Sequence, residues 1–99
     1  MHAEHDLLYR EVMLTLEACR QREVTYLFAA ESLAKHDVVL VLDWWLALLH
    51  RLCCAQPVAA LLRFNDQLLE ARRKAQGTAN PNPRMLLETL LIDWSRLQN

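Results

Sequence analysis

Glycine is almost missing from this chain. Gly77 is the single one in 99 residues. A Gly-rich phosphate loop and a dinucleotide fingerprint both need several glycines where the backbone approaches phosphate, so both are excluded. Three prolines and one glycine also leave too little turn chemistry for a sheet of many short strands. Isoleucine occurs once and valine six times against 21 leucines, a ratio that favours helix over strand. Cysteine is scarce too. Cys19, Cys53 and Cys54 are odd in number, and neighbours such as Cys53 and Cys54 rarely bridge, so they read as reduced thiols of a cytoplasmic protein. The amino terminus carries His2, Glu4, His5 and Asp6 instead of a basic stretch and an apolar core, and no signal peptide is expected. The longest apolar stretch, Val38 to Leu49, covers about 12 residues and contains Asp43, against the roughly 20 that a bilayer requires. No membrane partner is expected.

What remains is a globular composition, 54% hydrophobic and 23% charged, in a length that makes one domain over residues 1–99. Net charge is −1, so the whole chain is no electrostatic trap for nucleic acid. The halves differ: residues 1–50 hold 4 basic and 8 acidic side chains, and residues 51–99 hold 7 and 4. The basic excess gathers at Arg72, Arg73, Lys74 and Arg84. Cations at the end of a helix suit its negative pole. The same four side chains are also the candidates for a weak contact with nucleic acid or an acidic partner.

Periodicity predicts an all-α bundle of about five helices. The first runs from about Leu7 to Arg20 with Asp6 as N-cap, a core stripe of Leu8, Val12, Leu16 and Cys19, and a second stripe of Leu7, Leu14 and Ala18 on the far side. The second covers about Val24 to Lys35, with Leu27, Ala30 and Ala34 in register and Tyr26 and Leu33 beside them. The third, about Val38 to Cys53 after an Asp37 cap, is apolar over most of its circumference. It reads as central, with neighbours on several sides and Asp43, His50 and Arg51 on the remaining strip. Trp44 and Trp45 point about 100° apart. Pro57 opens the fourth helix, which Gly77 ends, with a core stripe of Leu61, Phe64, Leu68, Ala71 and Ala75 and a shoulder of Val58, Leu62 and Leu69. Residues 77–83 form the one clear loop. Asn82 caps the fifth helix, Pro83 takes its first position, and it reaches about Leu97.

Little chemistry is laid out along these helices. His50, Cys53 and Cys54, with His2 and His5, lack the two short-spaced ligand pairs of a structural zinc site, so no metal is expected. Asp43 and His50 share a helix face but lie about 10.5 Å apart along it, beyond the reach of a dyad. Cys19 and His36 meet only if tertiary packing brings them together. None of the helices is basic and polar enough to serve as a recognition helix in a DNA groove. Neither a catalytic residue, nor a cofactor, nor a small-molecule substrate is expected.

The stretch Leu69-Glu70-Ala71-Arg72-Arg73, followed by Asn80-Pro81-Asn82-Pro83-Arg84-Met85-Leu86-Leu87-Glu88-Thr89-Leu90-Leu91-Ile92-Asp93-Trp94, resembles the end of the delta-prime subunit of bacterial DNA polymerase III. Leu33-Ala34-Lys35-His36-Asp37 and the Leu-rich run with Asp43-Trp44 are similar to the same region. The likeness spans roughly Leu33 to Leu97, and the Asn-Pro-Asn-Pro loop joined to Met85-Leu86-Leu87-Glu88 is its most specific element. Related collar domains, above all that of gamma/tau, share much of the pattern. The resemblance implies a helical collar domain, excised at Met1 from a longer protein, that holds the clamp-loader pentamer together during DNA replication. It implies no ATP binding by this chain. Its partners would be the other loader subunits, gamma/tau and delta, with DNA contacted weakly or indirectly. A different class of function, direct DNA contact by the Arg72–Lys74 and Arg84 cluster, stands beside it.

The pattern of the last helix points to an interface without that likeness. Leu86, Leu87, Leu90, Leu91, Trp94 and Leu97 take one broad face. Met85 and Ile92, seven residues apart, point the other way among Arg84, Glu88, Thr89 and Arg96. Met85, Glu88, Ile92 and Arg96 are therefore the candidate subunit interface. A gap-filling role for the two apolar residues inside the domain is the competing expectation.

Overall fold

The computed structural model describes residues 2–56, 58–77 and 82–97, with side chains from Leu7 onward. Five helices follow in order: α1 His2–Arg20, α2 Tyr26–Leu33, α3 Val38–Ala55, α4 Ala59–Gln76 and α5 Pro83–Ser95. Among the described residues there is no strand, as the leucine-rich, glycine-poor composition requires. The bundle measures 33 × 32 × 24 Å. α3 pairs with α4, α2 with α5, and α1 packs on α2, α3 and α5.

Local chemistry sets most of the helix ends. Thr25 Oγ1 accepts the Phe28 N–H at 3.1 Å and starts α2. Asp37 Oδ1 accepts the Val39 N–H at 3.0 Å and starts α3. Asn82 Oδ1 accepts the Arg84 N–H at 2.9 Å, with Pro83 in the first turn, where a missing N–H costs nothing. α1 ends in a Schellman turn: the Glu23 N–H donates to the Ala18 carbonyl at 2.8 Å and the Arg22 N–H to that of Cys19 at 3.0 Å. The turn puts Arg22 at φ 64°, in the left-handed region that favours glycine.

Other boundaries differ from those read in the sequence. α1 begins at His2, so Asp6 lies inside the helix and is not its cap. α4 begins at Ala59 with the extended Val58 at the N-cap, after Pro57, which lies outside the described residues. Gly77 does end α4, but at φ −76°, so its freedom to turn left-handed is not used. α3 runs on to Ala55 and α5 stops at Ser95. The loop residues 78–81, with Asn80 and Pro81, lie outside the described residues.

One core joins all five helices. Val12, Leu16 and Cys19 come from α1, Ala29, Ala30 and Leu33 from α2, and Val41, Leu42, Trp45 and Leu49 from α3. Phe64, Leu68 and Ala71 come from α4, and Leu87, Leu90, Leu91 and Trp94 from α5. At its centre the Trp45 ring lies 5.6 Å from both Phe64 and Trp94. The Trp94 indole N–H donates to the Leu16 carbonyl at 2.7 Å, which satisfies a polar atom that burial would otherwise strand. Burial pushes the Cys19 thiol pKa up, because a thiolate there would lose its hydration.

The buried face of α2 is rotated from the expected one. Ala29, Ala30 and Leu33 point inward, while Tyr26 and Leu27 are exposed. Small alanines let α2 lie close against α5, and that packing fixes the helix phase more firmly than the leucine spacing does. α3 is also less enclosed than expected. Its partners are α4 and α1, and four of its side chains are fully buried. By length and composition this 18-residue helix, of mean hydropathy 1.7, could cross a bilayer, which corrects the shorter apolar stretch read from the sequence. Within the structure 22% of that helix is buried, including the central Trp45.

Candidate subunit-interface surface

The outer face of α5 is built by the packing of its inner one. Leu87, Leu90, Leu91 and Trp94 are buried against α1, α2 and α4, which turns the opposite side of the helix to solvent. Met85 is 64% exposed and Ile92 half-buried on that side. They lie seven residues apart, about two turns and some 10 Å along the helix. Between them the Thr89 hydroxyl donates to the Met85 carbonyl at 3.1 Å, leaving a low-polarity step between two apolar ones. Arg84 Nε donates to Glu88 Oε2 at 3.2 Å, so the carboxylate of this face is neutralised within its own helix.

Arg96 follows Ile92 by one turn, just past the end of α5. It caps the C-terminus of α5 and lines a cavity with Arg20 and Leu97 at the far end of the helix. Met85, Glu88 and Ile92 share the outward region of α5, and Arg96 stands where that region meets the cavity.

The basic cluster is spent on internal pairs. Arg72 reaches across from α4 to Asp43 on α3, where Nη2 lies 3.5 Å from Oδ2 and Nε makes a shorter contact with Oδ1. Arg72 Nη1 also donates to the Gln76 amide oxygen at 3.2 Å. Arg73 forks onto Glu70 within α4, with Nε donating to Oε1 at 3.3 Å. That bond holds the Glu70 carboxyl below, and the Arg73 guanidinium above, their ordinary pKa ranges. With Arg84 on Glu88, three of the four cations face carboxylates of their own domain, so little net positive field is left to gather phosphates. The fourth, Lys74, lies on the groove between α4 and α5 with Asp66, Glu70 and Asp93.

The remaining histidines and cysteines take separate places. His36 Nε2 lies 3.6 Å from Glu11 Oε2, while Cys19 is buried in the core. Cys54 Sγ is 3.8 Å from His50 Nε2 on the exposed side of α3, with Cys53 half-buried beside it. Among the described residues no group of three His, Cys, Asp or Glu side chains converges as metal ligands; the side chains of His2 and His5 are outside that description.

Comparison with curated proteins and with solved structures returns no match. A family model does match over residues 33–96: that of the C-terminal part of the DNA polymerase III delta subunit. This span runs from the end of α2 through the whole of α3, α4 and α5, including the face that carries Met85 and Ile92. It covers well over half of the chain, and the chain therefore belongs to the family of C-terminal domains of the DNA polymerase III delta subunit.

Proposed function

We propose that this domain is the collar module of a clamp loader, of the delta-prime type, and that it works by assembly and not by catalysis. Its role is to hold neighbouring loader subunits, gamma/tau and delta, in the cytoplasm while other domains perform the ATP-driven work of DNA replication. The delta-prime assignment rests on the Asn-Pro-Asn-Pro run before Met85-Leu86-Leu87-Glu88 and on Trp94. The observation that carries the assembly role is the apolar pair Met85 and Ile92. It stands on the outward side of a helix whose opposite side fills the core, within the family-matched segment. Apolar surface in that position gains most when a neighbouring protein covers it.

The test is the double variant Met85→Asp/Ile92→Asp, assayed by thermal melting and by pull-down against full-length clamp-loader subunits. Met85→Asp should cost within about 0.5 kcal/mol, as exposed substitutions do, and the half-buried Ile92→Asp about 1–2 kcal/mol, so the variant should melt lower than the parent but remain folded. Capture should fall, because each carboxylate would be buried without a partner at the interface. A folded variant with undiminished capture would move the interface to another face, with the exposed Leu7 and Leu14 of α1 next in line.

A further inference from the structure

The end of α3 carries a sulfur and a nitrogen within reach of one another. His50 and Cys54 are four residues apart, so they share one side of the helix, and both are exposed. Cys54 Sγ lies 3.8 Å from His50 Nε2. Zinc binds sulfur at about 2.3 Å and histidine nitrogen at about 2.0–2.1 Å, and at a tetrahedral angle two such donors stand about 3.6 Å apart. A small side-chain adjustment brings the observed pair to that span.

The surroundings suit a cation. Cys54 stands in the last turn of α3, where free carbonyls give the helix end a partial negative charge, and that turn has no basic residue of its own. Arg51 is the nearest cation in sequence, and its guanidinium reaches toward α1, where Nη2 donates to the Tyr9 hydroxyl at 3.2 Å. Cys53 packs against the core instead.

Two ligands are half of a structural zinc site, which takes four. No third His, Cys, Asp or Glu joins them among the described residues. A second copy of the chain brings the same two, and a two-fold axis makes the halves equivalent. Two thiolates and two imidazoles form a standard zinc set, and the thiolates balance the charge of the ion. Ala47, exposed one turn before His50, gives an approaching helix little bulk to clear.

We propose that His50 and Cys54 form half of a zinc-type site that the same pair of a second copy completes. Each Cys54 thiol gives its proton to water as the sulfur binds, and each neutral His50 binds through Nε2, so one Zn²⁺ enters and two protons leave. This side of α3 is not the Met85 face, and the metal site stands or falls independently of the collar assignment.

The experiment is sedimentation velocity on the 99-residue protein in a phosphine reductant, with zinc and then with EDTA. Zinc should double the mass with one ion per two chains, and EDTA should restore the monomer. Cobalt in its place should give a thiolate-to-metal charge-transfer band and the intense visible bands of a tetrahedral site. Cys54→Ser and His50→Ala should each lower zinc affinity at least about tenfold and abolish the doubling, and Cys53→Ser should change neither. Circular dichroism checks that the variants fold, as exposed substitutions allow. No zinc uptake up to about 100 μM would overturn the proposal. So would one ion per chain without a change of mass, a cobalt spectrum without the thiolate band, a doubling that survives EDTA, or a Cys54→Ser variant that still doubles.

Discussion

Replacing Trp45 and Trp44 by alanine, one at a time, separates the two adjacent indoles of α3 by energy. Trp45 is fully buried and touches the rings of Phe64 and Trp94, each with centroids 5.6 Å away. Removing a buried tryptophan costs about 3–5 kcal/mol. Its two ring contacts, at about 0.5–1.5 kcal/mol apiece, place this site at the upper end of that range. Trp44 is half-buried and meets one ring, that of Tyr9, edge-on at 5.4 Å. Partial apolar burial and one aromatic contact amount to about 2–3 kcal/mol. A domain of this length holds about 5–15 kcal/mol in all. Trp45→Ala should therefore leave the protein near the edge of folding, with a melting temperature lower by more than about 20 °C, and Trp44→Ala should lower it by about 10–20 °C. Thermal melting followed by circular dichroism measures both. Equal losses, or a larger loss for Trp44, would refute the placement of Trp45 at the centre of the core.

Two further outcomes follow from single sites. Arg22→Gly should stabilise the domain by about 1 kcal/mol, read as a higher urea midpoint, because glycine occupies the left-handed position at φ 64° without the Cβ clash that arginine endures. Under native conditions iodoacetamide should modify Cys54 first, Cys53 more slowly and Cys19 only on unfolding, by mass spectrometry. Cys54 is exposed, Cys53 is half-buried, and the buried Cys19 thiol has a raised pKa that suppresses its nucleophilic form. Fast native labelling of Cys19 would place it outside the core.

Caps and long stripes were the legible part of this fold. Asp37 and Asn82 announced α3 and α5 because a short polar side chain beside a leucine-rich run has one good use, accepting the first N–H groups. The core stripe of α4, through Phe64, Leu68 and Ala71, followed from spacing alone. α2 did not, because with eight residues the close approach that Ala29 and Ala30 allow outweighs the pull of Leu27. Asp6 looked like a cap because it precedes the first leucines, yet the helix had begun four residues earlier. The outward direction of Met85 could be computed from 100° per residue. The partners of the cations could not. Asp43 and Arg72 are 29 residues apart, and the cavity beside Arg96 exists only because four helix ends converge.

The bond from the Trp94 indole to the Leu16 carbonyl joins a residue inside the family-matched span to one outside it. The span recognised by sequence likeness and the piece of chain able to fold are consequently different objects. A protein trimmed to residues 33–96 would lose Val12, Leu16, Cys19, Ala29 and Ala30, and with them the wall of the core that α1 and α2 provide. The trimmed piece would open Leu87, Leu91 and Trp94 to water and gather into aggregates, however complete its family signature. A working boundary for this domain therefore has to include α1 and α2, which close that wall.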